Sequence, residues 1–282
     1  MSGATGIRAI AYALPAATRT GRELAASGAL ESEAAVLERF GVLRVHVAVE
    51  ESPYELASVA AARLLTAERI DPASIGLLVY GGPPSAARLR YELGLDGASV
   101  VAVDQLACTT LFGAVRVARA LCTAEGIDRA LCVSGECYPA LAGREASLDC
   151  TSDAACAILL EREAAHQRIC GAATITRGHH WDPTAHREET VASYFPTAVR
   201  AINSTLVDAG WERDDVDWVI PHNVSVASWE MLIRLAGLTR ARLWTDDVAV
   251  HGHTLAGDRA LLFSYGYGYG SGAHWTGLAV EI

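Results

Sequence analysis

Along the chain, short wholly apolar runs alternate with stretches whose apolar positions recur at helical spacing. The runs 75–80, 99–104, 130–134 and 155–160 predict buried strands, and 57–65 predicts a helix. The run 99–104 leads into Gln105-Leu106-Ala107-Cys108, after which Leu111, Val115, Ala118 and Cys122 follow at helical spacing. A cysteine is therefore expected at a strand-to-helix corner. Strands and helices in alternation predict an α/β fold whose first half, 1–162, closes after the strand 155–160.

The second half, 163–282, repeats the plan in shortened form. It predicts a strand over 170–176, a helix over 190–209 and a strand over 216–220 that ends at Pro221-His222-Asn223. A helix, a short strand and His251-Gly252-His253-Thr254 come next. The strand 216–220 corresponds in order to 75–80, and the strand before His253 to the one before Cys108, so an internal duplication is expected. The chain ends in Leu261-Leu262-Phe263, the glycine-rich stretch 266–272 and a last strand over 275–282.

Composition narrows the chemistry. Of 282 residues, 51% are hydrophobic and 20% charged, enough apolar material for a large core and too much for disorder. The 33 acidic residues exceed the 23 basic ones, giving a net charge of −10, so a nucleic acid would be repelled on average. Every basic residue is Arg, and the lack of Lys excludes Schiff-base chemistry, pyridoxal phosphate anchoring and a P-loop lysine. Seven cysteines without a C-x-x-C pair argue against a disulfide framework or a four-thiolate zinc site. No apolar run approaches the ~18 residues of a membrane span and the first twenty residues lack a leader pattern, so a cytoplasmic chain is expected.

Cys108 is the sharpest candidate for chemistry, because a thiol at a helix N-terminus gains from the helix dipole and unpaired backbone N–H groups. The alternative is a buried core cysteine, which is the expectation for the other six. His222 and His253 each follow a predicted strand, where open α/β sheets place reactive groups. One imidazole could act as acid or base and the other as a donor to a thioester oxygen; either could instead be structural. A metal held by His251, His253 and His222 would lack a carboxylate or thiol at ligand spacing, so no metal is expected. His179-His180 reads as a solvated loop. The glycine run has a strand after it instead of a helix, which excludes a dinucleotide fingerprint and leaves either a close backbone approach to a reacting carbonyl or a tight turn. No G-x-S-x-G elbow occurs.

Taken in order, these segments resemble the thiolase superfamily, and within it the β-ketoacyl-acyl-carrier-protein synthase III branch. Residues 6–15 and Phe40-Gly41-Val42-Leu43-Arg44 look like the family's opening strand and its "GI-x-x-R" segment, and residues 103–113 around Cys108 like its nucleophile motif. Thr151-Ser152-Asp153-Ala154-Ala155-Cys156-Ala157 resembles a weakened "GDGAGA", Ile220-Pro221-His222-Asn223 resembles "PHQAN", and Gly252-His253-Thr254 occupies the place of "GNT". The resemblance implies a thiolase-like five-layer αβαβα fold from two related halves and an obligate homodimer or heterodimer.

It also implies that Cys108 accepts an acyl group from coenzyme A or acyl carrier protein, with His222 serving the second half-reaction. The amides of Cys108 and Gly268, or alternatively Gly270, would form the oxyanion hole. Arg44 would stand at the mouth where a phosphopantetheine donor is held, and Phe112 and Asn223 would contact substrate, with Leu111 and Trp229 as further lining by analogy. No permanently bound cofactor is implied. Two departures stand out: His253 replaces the family's asparagine, and Gly257-Asp258-Arg259 follows it so soon that the usual intervening helix has no room. Acyl transfer or Claisen condensation is the leading expectation. The alternative is a non-catalytic partner subunit of a heterodimeric condensing enzyme, and a third reading is a plain α/β binding protein.

Overall fold

The computed structural model describes residues 5–28, 44–82, 85–137, 145–146, 149–150, 152–164, 167–182, 187–221, 226–244, 259–268 and 272–281. The first half supplies strands β1 (Gly6–Ala13), β2 (Thr18–Thr20), β3 (Arg44–His46), β4 (Leu77–Gly81), β5 (Ser99–Val103), β6 (Arg129–Glu136), β7 (Glu145–Ala146), β8 (Asp149–Cys150) and β9 (Ala154–Glu161). Its helices are α1 (Gly21–Ala26), α2 (Pro53–Ala67), α3 (Ala86–Glu92) and α4 (Thr110–Glu125). Strands β10 (Arg168–Arg177), β11 (Trp218–Ile220), β12 (Arg242–Leu243), β13 (Arg259–Gly268) and β14 (Gly272–Glu281) follow, with helices α5 (Arg187–Ala209) and α6 (Val226–Ala236).

Ten strands connect in the order β12-β11-β13-β14-β10-β1-β9-β6-β4-β5. Outward from β1 the neighbours are β9, β6, β4 and β5; outward from β10 they are β14, β13, β11 and β12. The first three strands of each series pair antiparallel and the outer ones parallel. The two series touch through β1 and β10 at the Gly6–Arg168 pair. The second series thus retraces the first strand by strand, and the expected correspondences of β11 with β4 and β12 with β5 hold in the topology.

Period-two alternation on these strands builds three cores. Leu78 and Tyr80 of β4, with Leu131 and Val133 of β6, face α2. Their neighbours Leu77, Val79, Ala130 and Cys132 face the other way, onto Ala114, Val115, Ala118 and Cys122 of α4, which also meets Leu278 and Val280 of β14. Beyond the second series, Tyr194, Ala198, Ile202 and Leu206 of α5 and Trp229 and Leu232 of α6 pack with Val219 and Trp275. The layers therefore run helix, sheet, helix, sheet, helix, with α4 in the middle one.

Local signals set the element ends. α2 starts at Pro53, earlier than the periodicity predicts, because Ser52 and Glu55 form a reciprocal capping box and Pro occupies the first turn. β13 and β14 reach into the glycine stretch, so that Gly268 pairs with Gly272, where the sequence suggested irregular chain up to residue 275. Alternating Tyr and Gly over 265–268 suits a pleated strand, whose ladder needs only the backbone.

The seat of α5 on β10 depends on one close approach. A Cβ on Gly171 would lie 2.5 Å from the Ala209 nitrogen and 2.7 Å from the Thr205 oxygen, both backbone atoms. Gly171→Ala is expected to lower stability by about 1–3 kcal/mol, the usual cost of forcing an extra carbon into a packed contact. Urea unfolding measures this; an unchanged midpoint would mean that α5 does not sit this close to β10.

Candidate active site at the β5–α4 corner

Beyond β5 the backbone makes an abrupt corner. Gln105 and Ala107 both hold positive φ, 61° and 47°, in the left-handed region where residues with a Cβ are uncommon and cost on the order of 1–3 kcal/mol each. Polar contacts hold the corner in place. The Gln105 N–H donates to Asp104 Oδ1 at 2.7 Å, the Thr109 hydroxyl to the Leu106 carbonyl at 2.7 Å and the Thr110 hydroxyl to the Ala107 carbonyl at 2.6 Å. The Leu106 side chain occupies the space a Cβ on Gly113 would need, so this glycine lets the corner fold down on the first turns of α4.

Cys108 lies in the middle of this corner, on the single 3-10 turn Ala107–Thr109 directly ahead of α4, exposed just before the buried Thr109 and Thr110. The turn packs against β13 and β14, so the thiol of the first half stands beside strands of the second. Its position ahead of a sixteen-residue helix gives it the positive end of the helix dipole and nearby amide donors. Cys122, Cys132, Cys137, Cys156 and Cys170 are buried or half-buried, and burial pushes up the thiols of Cys122, Cys132, Cys156 and Cys170, the Cys156 thiol to about 12. Thiolate chemistry near neutral pH therefore points to the exposed thiol at the corner.

The remaining candidates are spread more widely. Gly268 is the last residue of β13, on one of the two strands the Cys108 turn touches. Phe112 is half-buried on α4 and packs into the central core, as does Leu111. Arg44 is exposed on β3, which pairs with β2 outside the large sheet. β3 is tied down by the Ser152-Asp153 segment: Ser152 Oγ accepts the His46 N–H at 2.8 Å and the fully buried Asp153 carboxylate accepts the Ala48 N–H at 2.7 Å. His222, Asn223, His253 and Gly270 lie outside the described residues; the described chain leads to the first two at Pro221, directly after β11. Trp229 belongs to the outer core between α5 and α6, where it is 2% exposed.

The sequence reading of His179-His180 as a solvated loop holds for the exposed His179 and is corrected for His180. His180 is 1% exposed, because the 3-10 turn Gly178–His180 continues directly from β10 and packs on β14, burying the ring while Ser193 Oγ lies 3.3 Å from its Nε2. Two further groups were missed. His274, 3% exposed, shares the inner face of β14 with Thr276, its Nδ1 3.0 Å from Thr176 Oγ1; Thr276 in turn bonds Thr174, which Arg116 of α4 reaches at 2.7 Å. The alternation 274, 276, 278 marked that face. Glu136 ends β6, and burial pushes its carboxyl above the ordinary carboxylate range. A lone acid closing an apolar strand was its signal.

This geometry sets the chain beside known proteins. No family model matches it. The β-ketoacyl-acyl-carrier-protein synthase III of Methylococcus capsulatus is 26% identical over 220 residues, 68% of each chain. That of Erythrobacter litoralis is 26% identical over 289 residues, covering 91% of this chain and 88% of the relative. The crystal structure of 3-oxoacyl-acyl-carrier-protein synthase III from Aquifex aeolicus superposes with a TM-score of 0.83 at 17% identity, over 99% of this chain and 100% of that one. The chain is similar to these ketosynthase III proteins and has their thiolase-like fold. The expected five-layer fold is the observed one, and among the described residues no helix is long and apolar enough to cross a membrane.

Glu136 generates a pH prediction. A carboxyl whose folded pKa is raised stays protonated without cost below its unfolded pKa; stability is lost as the pH rises through the folded value and the buried group must ionise. Glu136→Gln is expected to abolish that loss, so that its urea midpoint exceeds the wild type's at pH 8 and the gap narrows at pH 4. Equal gaps at both pH values would contradict the desolvation of this half-buried acid.

Proposed function

We propose that the chain is an acyl-thioester transferase of the ketosynthase III type with Cys108 as its nucleophile. The observation that carries this reading is the exposed thiol on a strained corner at the head of the central helix, packed against the strands that lead to Gly268. Retention of His222 and the similarity to named ketosynthases support it.

In the first half-reaction the Cys108 thiolate attacks the carbonyl carbon of an acyl-CoA or acyl-carrier-protein thioester. The developing oxyanion takes hydrogen bonds from the Cys108 and Gly268 amides, which cost little reorganisation if already aimed. Collapse breaks the bond to the donor sulfur, which departs as a thiolate and takes up a proton, leaving acyl-Cys108. In the second half-reaction the acyl carbon passes to an acceptor and the Cys108 thiolate is restored, with His222 and His253 as the acid–base and donor groups. Arg44 meets the phosphopantetheine arm, while Phe112 and Asn223 contact the bound substrate. A malonyl acceptor would lose carbon dioxide to form the attacking enolate. With His253 in the place of an asparagine, direct transfer to a hydroxyl or amine is favoured, because an enolate needs two donors in fixed positions. The halves 1–162 and 163–282 contribute the thiol and the imidazoles respectively, and the chain works as a dimer.

Incubation with a panel of acyl-CoA thioesters should add one acyl mass, mapped by peptide analysis to Cys108. Label on another cysteine, or on none, would remove it from the role. His222→Ala should keep acyl loading while turnover falls by on the order of 10²; loading that falls in step would make His222 the activator of the thiol. Light scattering should give the mass of two chains, and a monomer at micromolar concentration would refute the dimer.

A further inference from the structure

We propose that His179, His180 and Glu189 form a zinc site at the end of β10, separate from the Cys108 corner. One ligand atom from each of the three residues lies within 4.8 Å of the other two. Four-coordinate zinc with bonds of about 2.0–2.2 Å sets its ligand atoms roughly 3.3–3.5 Å apart. His179 and Glu189 are exposed, so small side-chain rotations close the difference without moving the backbone.

The surroundings select this set. Both histidines stand on the 3-10 turn Gly178–His180 with ring centroids 4.0 Å apart, and Glu189 projects from the first turn of α5, which begins after the connection from that turn. The Ser193 hydroxyl donates to the Thr190 carbonyl at 3.2 Å, leaving its oxygen to accept from His180 Nε2–H at 3.3 Å. With the hydrogen on Nε2, Nδ1 is the nitrogen of this buried ring that bears a lone pair. A ligating imidazole held through its other nitrogen is the usual outer support of a zinc site.

Two imidazoles and one carboxylate suit zinc better than magnesium or calcium, which prefer oxygen donors throughout. A fourth position is left for water. The ion would clamp the start of α5 to the end of β10, where Arg177 pairs with Ala273, next to the Gly268–Gly272 pair closing β13 and β14. It would thus brace the sheet end that carries the glycines without contacting the thiol.

The test uses the full chain, stripped with chelator and with exposed thiols alkylated by iodoacetamide so that cysteine cannot bind metal. Calorimetric titration with zinc should give one ion per chain, and His179→Ala and Glu189→Gln should each weaken binding by about tenfold or more. Both residues are exposed, so these variants should keep the wild-type circular dichroism, and His251→Ala should bind zinc as the wild type does. Cobalt in place of zinc should give the intense visible bands of a tetrahedral nitrogen–oxygen site in the wild type and in His251→Ala, and not in His179→Ala or Glu189→Gln. Absence of binding at about 100 μM zinc, or binding undiminished in both variants, would overturn the proposal.

Discussion

One helix fills the space between two sheet halves, and the rest of the molecule is arranged around that fact. α4 can do so because the residues it turns to the sheets are small: Gly113, Ala114, Val115, Ala118 and Cys122 are buried, so strands on both sides approach it closely. Held from both faces, its first turn cannot shift without opening a void in a core of interior packing density. The corner ahead of it inherits that rigidity. Two left-handed residues and three short polar contacts then determine where the Cys108 thiol emerges.

The inner face of the second sheet half changes character along its length. Leu278 and Val280 of β14 meet α4 through apolar contact, whereas Thr276 and His274 on the same face join Thr174, Thr176 and Arg116 in hydrogen bonds. Buried hydroxyls and imidazoles are tolerable there because they are paired with one another; leaving one without its partner would cost its desolvation. A paired polar layer on β14, the strand against which the Cys108 turn packs, gives the interior donors and acceptors that an apolar filling would lack. The outer faces are covered by α2 on one side and by α5 with α6 on the other.

The chemistry open to the chain follows from what these layers expose. Without lysine there is no amine nucleophile, and the burial that stabilises the strands also raises most of the other thiols. Among the described thiols with known exposure, Cys108 is the exposed one, at the head of a helix, and the proposed acyl-thioester exchange uses it. At the far end of β10 a different logic applies. There a buried imidazole, oriented by Ser193, meets an exposed imidazole and a carboxylate, a donor set unrelated to the thiol.

Local pattern was enough for the strands β4, β5, β6 and β9, for α4 and for the corner bearing Cys108, since apolar runs and helical spacing are properties of neighbouring residues. The order of motifs was enough to expect the two-series sheet and its five layers. What pattern could not supply was any quantity that depends on residues far apart in the chain. His179-His180 reads as solvated from its polar neighbours, and only the stacking of the turn on β14 buries His180. Glu136 looks like an ordinary strand terminus until its desolvation is known. Trp229 could line a substrate channel on sequence grounds, but its helix turns it into the outer core. The sequence by itself determined which elements form, in what order, and that a cysteine would sit at a helix head. Tertiary structure decided which polar groups are buried and what faces them, because burial and long-range contact are set by how layers stack and not by the residues on either side.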